Sequence, residues 1–139
     1  MKTQIVLLKI AGIISLAFMS FHFLFYSKLG WEEGLSCLTR DNRSIMLTYH
    51  YASILITGFM GLIPLFQAKE LVISKLKYGI LSMFALFYLT RIVTEFTLFG
   101  FSGTVSVIII TMCLIPLIFY SLPLLSHNKQ IQYENSKSV

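Results

Sequence analysis

Charged side chains are scarce in this 139-residue chain: Asp, Glu, Lys and Arg make up 12% of it, whereas the apolar and aromatic residues make up 56%. Soluble domains carry about 25% charged residues, so too few polar side chains are present to cover the surface of a globule. Intrinsic disorder is excluded as well, because it needs low hydrophobicity and high charge. The composition is that of an integral membrane protein.

Cysteine is nearly absent too, and the two that occur, Cys37 and Cys113, form no C-x-x-C motif. A dithiol redox site and a zinc site of the usual spacing are thereby excluded, and we predict no metal site. The chain also lacks H-E-x-x-H, a nucleophile elbow and a phosphate-cradling glycine loop, so no reaction type is indicated. The net charge is +5, but the Lys and Arg residues flank apolar runs, which argues against a nucleic-acid partner.

Four apolar runs are each about 22 residues long, enough for a helix to cross a hydrocarbon core of about 30 Å. Each must be helical, because unpaired backbone groups are not hydrated in lipid. The runs cover residues 5–26, 45–66, 78–99 and 104–125. We therefore predict an all-α membrane protein, a four-transmembrane-helix antiparallel bundle. It would form a single domain over residues 1–125, followed by a polar, flexible tail at 126–139.

The basic residues in the short flanks predict the orientation. Seven fall on one side and three on the other, which places both termini in the cytoplasm. The seven are Lys2, Lys9, Lys69, Lys75, Lys77, Lys129 and Lys137, and the three are Lys28, Arg40 and Arg43.

The connections have different patterns. The first, residues 27–44, then lies outside, and Trp31 with Leu35 and Leu38 facing the bilayer predicts a short interfacial cap helix. The second, residues 68–77, is amphipathic and is expected along the inner interface. The third, Gly100–Gly103, is short and uncharged, so spans three and four are predicted to form a hairpin.

Ionisable side chains inside a span are rare and cost about 2.5–3.5 kcal/mol at a helix centre. Four such side chains occur here: His22, His50, Arg91 and Glu95. At a rise of about 1.5 Å per residue, they lie about 6–12 Å below the outer ends of their spans. Since the helices alternate in direction, all four are expected in one layer of the outer half, around a polar recess. The predicted ligand-binding residues are His22, His50, Arg91, Glu95, Tyr88 and Tyr49. The alternative is that these groups only fasten the helices by hydrogen bonds.

Small and polar residues recur at steps of three and four in the first two spans, which favours close helix contact there. The first stripe is Gly12, Ser15, Met19 and His22, and the second is His50, Ser53, Thr57, Gly61 and Pro64.

Several local features accompany this plan: Phe21-His22, Trp31, the run 42–46 at the start of span two, and Tyr88 with Arg91 and Glu95. In overall plan the chain resembles small bacterial four-span membrane proteins, including the DoxX-like group. The resemblance implies a multi-pass protein of the bacterial inner membrane, and it transfers no catalytic residue to this chain.

The function predicted from these observations is a non-enzymatic accessory subunit, or a bundle that binds a small molecule or lipid. Its partners would be the lipid bilayer, an anionic or lipid-like ligand bound by Arg91, and a membrane protein or a second copy of the chain. The first alternative is a membrane enzyme that acts on an amphiphile by His/Glu acid–base chemistry. Less favoured are proton transport and axial ligation of haem by His22 and His50; no cofactor is predicted.

Overall fold

The computed structural model describes residues 1–125, and within that range helix is the only regular secondary structure. In chain order the helices are α1 (Lys2–Phe23), α2 (Phe25–Lys28), α3 (Trp31–Gly34), a 3₁₀ turn (Leu35–Cys37), α4 (Arg40–Ile73), α5 (Lys77–Thr94), a π-helical turn (Glu95–Phe99) and α6 (Thr104–Leu125). The predicted all-α class is confirmed, and the predicted flexible tail at 126–139 lies outside the described residues.

Four helices in the described range are long and apolar enough to cross a membrane: Lys2–Phe23, Arg40–Ile73, Lys77–Phe99 and Thr104–Leu125. A multi-pass membrane protein is thereby supported. The third and fourth agree with the predicted spans to within one residue. The first ends at Phe23 instead of residue 26, and the second extends over Arg40–Ile73 instead of 45–66.

Backbone contacts divide the chain into two compact units, Met1–Leu71 and a second that begins at Val72. The single domain over residues 1–125 stays a prediction. In the first unit, α1 and α4 meet at Gly12 and Gly61. A Cβ atom on Gly12 would lie 2.8 Å from the Gly61 carbonyl oxygen, and one on Gly61 would lie 3.0 Å from the Gly12 carbonyl oxygen. The backbones therefore touch where the two small-residue stripes predicted close contact.

The connection between α1 and α4 is a series of short helical turns. Helix α1 ends at Phe23, with Leu24 as its C-cap, and the chain restarts as α2 and then α3. Leu35 is buried, so the prediction that it faces the bilayer is wrong. The side chain is covered, as its apolar character suggests, but by protein and not by lipid. Whether these turns form an interfacial cap stays a prediction.

Helix α4 continues through the segment expected along the inner interface. Its backbone departs from helical geometry at Gln67 (φ −120°, ψ 22°), which marks a kink. Beyond the kink Ala68, Leu71 and Val72 are all buried. The apolar face of this segment therefore packs against protein, whereas the sequence prediction had placed it against lipid.

The second unit contains a helical hairpin in which α5 packs on α6. The connecting turn has a glycine at each end, Gly100 with φ 71° and Gly103 with φ 69°, backbone angles that other residues rarely adopt. Further along, the Tyr120 ring of α6 lies 5.3 Å from the Phe84 ring and 6.1 Å from the Tyr88 ring of α5. These contacts confirm the predicted pairing of spans three and four.

Candidate functional site

An ion pair lies at the end of α5. Arg91 Nη1 donates a hydrogen bond of 2.7 Å to Glu95 Oε2. The two residues are four apart, so they share one face of the helix, as the sequence predicted. The carboxylate side chain is only 3% exposed, whereas the arginine side chain is 30% exposed. The negative partner is thus enclosed and the positive partner is accessible.

The second oxygen of the carboxylate is bound from the next helix. Ser106 Oγ donates a hydrogen bond of 2.7 Å to Glu95 Oε1, and the Ser102 backbone N–H donates one of 2.8 Å to Ser106 Oγ. Ser106 lies in the first turn of α6, where the positive end of the helix dipole also favours a negative charge. Both carboxylate oxygens are therefore occupied. We did not predict Ser106 as a partner; its nearness to the Gly103 turn was the only available signal.

An aromatic ring covers one face of the arginine. The Arg91 Cζ atom lies 4.7 Å from the centroid of the Phe99 ring. Residues eight apart in a regular α-helix point about 80° away from one another. The π-helical turn Glu95–Phe99 widens the last turn of the helix and brings Phe99 back over Arg91. Such π-turns occur often at functional sites.

Arg91 keeps hydrogen-bonding capacity after these contacts. A guanidinium group has five N–H donors. In the described part of the chain its one hydrogen bond is the bond to Glu95. The remaining donors and the 30% exposure of the side chain leave Arg91 able to bind an anion.

A second group of side chains, in the first unit, combines two histidines with aromatic rings. The ring centroids of His22 and His50 are 6.3 Å apart. Phe25 lies 4.6 Å from His22 and 6.0 Å from His50, and Trp31 lies 5.0 Å from His50. His22 Nδ1 donates a hydrogen bond of 2.8 Å to the Phe18 carbonyl oxygen, since a carbonyl can only accept. The sequence predicted Trp31 as part of an interfacial cap and not as a neighbour of His50.

This geometry does not fit haem ligation by His22 and His50. A porphyrin would lie between the imidazoles, roughly perpendicular to the line that joins them. The Phe25 ring stands beside the middle of that line, at 4.6 Å and 6.0 Å from the two rings, where the porphyrin would be.

The six predicted ligand-binding residues fall into two sets. His22 and His50 are neighbours in the first unit, and Arg91 and Glu95 are bonded in the second. Tyr88 is buried one turn before Arg91, whereas Tyr49 is 69% exposed. The common layer of all four ionisable groups stays a prediction.

Comparison with known proteins does not assign the chain to a family. No protein-family model matches it, and no curated protein or solved structure is significantly similar to it. The resemblance to DoxX-like proteins therefore stays a prediction.

Proposed function

We propose that this protein is a non-enzymatic membrane module that holds an anionic small molecule or lipid headgroup at Arg91. One observation carries the proposal: among residues 1–125, both oxygens of the carboxylate accept a hydrogen bond, whereas the guanidinium uses only one of its five N–H donors. Glu95 has a hydrogen bond on each oxygen, whereas Arg91 uses one of its donors and stays 30% exposed. Guanidinium is suited to phosphate and carboxylate, because two parallel N–H groups match two oxygens.

We further propose that the protein lies in the bacterial inner membrane with both termini in the cytoplasm. The uneven distribution of lysine and arginine between the flanks supports this orientation. It would place Arg91 in the outer half of the membrane, within reach of ligands at the outer headgroup layer. Trp31 and the short helices around it would then form the cap on the same side.

The test is native mass spectrometry of the protein released from its own membranes in mild detergent. Three proteins are compared: the wild type, Arg91→Leu/Glu95→Gln, and Arg40→Gln. The double variant removes the cation without leaving an unpaired buried carboxylate. Arg40→Gln removes one positive charge from an exposed position at the start of α4 and serves as the matched control. Circular dichroism verifies that each variant is folded.

We expect an added mass on the wild type and on Arg40→Gln that is lost from the Arg91 variant. Equal retention by all three proteins would overturn the role of Arg91. A wild-type protein with no added mass would contradict ligand binding and favour the reading in which the ion pair only fastens α5 to α6.

A further inference from the structure

We infer that the anion at Arg91 is the phosphate of a membrane phospholipid, which reaches the guanidinium sideways from within the bilayer. The inference rests on the proposed function and specifies its ligand. Inorganic phosphate in water presents the same kind of oxygen atoms as the phosphate of a phospholipid. The two ligands differ in the route by which they can reach Arg91.

Arg91 lies well inside its span. Arg91 precedes Phe99, the last residue of its span, by eight residues, which places its Cα atom about 12 Å below the end of the span. The side chain extends toward that end, since it contacts Glu95 one turn further on and Phe99 two turns further on. The guanidinium thus lies below the end of the span, at a level that a lipid phosphate reaches more readily than a hydrated ion does.

The surface around Arg91 is mostly apolar. Beyond Glu95 three exposed side chains of the last turn are large and apolar: Phe96 is 56% exposed, Leu98 77% and Phe99 70%. Thr97 is exposed as well, and its hydroxyl donates a hydrogen bond to the Val93 carbonyl oxygen of the same helix. No charged residue occurs from Phe96 to Val105. A soluble anion would have to shed its water next to this apolar surface, which is unfavourable. A phospholipid brings acyl chains that pack on the same surface.

The free part of the Arg91 guanidinium has a defined shape. Phe99 covers a face of the group at 4.7 Å, and Glu95 takes one N–H. One edge of the guanidinium stays available for hydrogen bonding to an anion. Two N–H groups on such an edge match the two non-bridging oxygens of a phosphodiester. Because the ion pair is neutral overall, a group with a single negative charge suits it better than a dianion.

The experiment measures lipid retention by native mass spectrometry on purified wild type, Arg91→Leu/Glu95→Gln and Arg40→Gln in micelles of neutral detergent. Each protein is exposed separately to phosphatidylglycerol, to diacylglycerol with the same acyl chains, and to inorganic phosphate. Diacylglycerol controls for binding through the chains alone. Inorganic phosphate controls for binding of the anion alone.

We expect the wild type and Arg40→Gln to retain phosphatidylglycerol, and the Arg91 variant to lose about tenfold or more of that retention, because a charge-assisted bidentate contact is removed. Diacylglycerol should be retained equally and weakly by all three proteins, and inorganic phosphate should not displace the phospholipid. Phe99→Ser should also weaken phospholipid retention.

Three other outcomes would overturn the inference, and they differ in what they leave standing. Arg91-dependent binding of inorganic phosphate that displaces the phospholipid would refute the lipid but keep the proposed function. If neither phosphate compound depends on Arg91, while the added mass from native membranes still does, the ligand is of another anionic class. If no added mass depends on Arg91 in either experiment, the proposed function fails as well.

Discussion

Ser106, in the first turn of α6, donates a hydrogen bond of 2.7 Å to Glu95 at the end of α5. This bond joins two predicted spans through a carboxylate whose other oxygen is held by Arg91. The carboxylate therefore has a structural role between the helices. The arginine is the member of the group that stays accessible for binding.

Replacing Ser106 by alanine should destabilise the hairpin. The change leaves a buried carboxylate oxygen without its donor, at a cost of about 1–2 kcal/mol. Ser121→Ala is the control, because Ser121 donates only to the Leu117 carbonyl of its own helix and its loss should change stability little. Thermal unfolding in detergent, followed by circular dichroism, measures both variants; equal midpoints would contradict an interhelical role for Ser106.

The ion pair can be examined by a double-mutant cycle. Arg91→Met alone leaves the enclosed Glu95 carboxylate without its cation, and we expect a loss below the roughly 3–5 kcal/mol typical of fully buried pairs, because Arg91 is partly exposed. Glu95→Gln in the Arg91→Met background should recover most of this loss. The coupling is obtained from the free energies of unfolding of the wild type, Arg91→Met, Glu95→Gln and the double variant. Purely additive effects would show that the two charges do not stabilise one another.

The contact between α1 and α4 depends on the absence of a side chain at Gly12. A Cβ atom there would lie 2.8 Å from the Gly61 carbonyl oxygen, so Gly12→Ala must push the backbones apart at a cost of about 1–3 kcal/mol. Gly79→Ala is the matched control, since nothing lies within 4 Å of a Cβ atom at that position and alanine favours a helix. A thermal midpoint of Gly12→Ala at or above that of the wild type would refute the close approach.

The two native cysteines allow a test of the proposed orientation. Cys37 is exposed in the connection between α3 and α4, whereas Cys113 is buried in α6. A membrane-impermeant maleimide should label intact cells through Cys37 alone, and Cys37→Ser should abolish the labelling. In the Cys37→Ser background, Ser74→Cys should react only after the membrane is permeabilised. The reverse pattern would place the termini outside.

The number of spans could be predicted from the sequence because hydrophobicity and helix length are tied to the thickness of the bilayer. The ends of the first two spans, α1 and α4, could not be predicted in this way. Leu24 and Phe25 are apolar, so hydropathy continues across the point where α1 ends and α2 begins. At the other end of α4, Ala68 and Leu71 look suited to lipid but are covered by protein. Side-chain polarity does not reveal which of the two environments surrounds an apolar residue.

The candidate site was likewise predictable only in part. The pairing of Arg91 with Glu95 follows from helical spacing, and the structure confirms it. The position of Phe99 over the guanidinium could not be predicted, since it depends on a π-helical turn that the sequence pattern does not signal. Likewise, the contact of Trp31 with His50 depends on the path of a connection, which no helical periodicity fixes.

The bonds among Arg91, Glu95 and Ser106 also bear on how the chain enters the membrane. In residues 1–125, both side-chain partners of the enclosed carboxylate lie within one short stretch that spans the turn between α5 and α6. During synthesis, α5 and α6 can therefore leave the insertion machinery together, with the charges of Arg91 and Glu95 already neutralising one another. Neither charge therefore needs a partner from the first 71 residues in order to be neutralised.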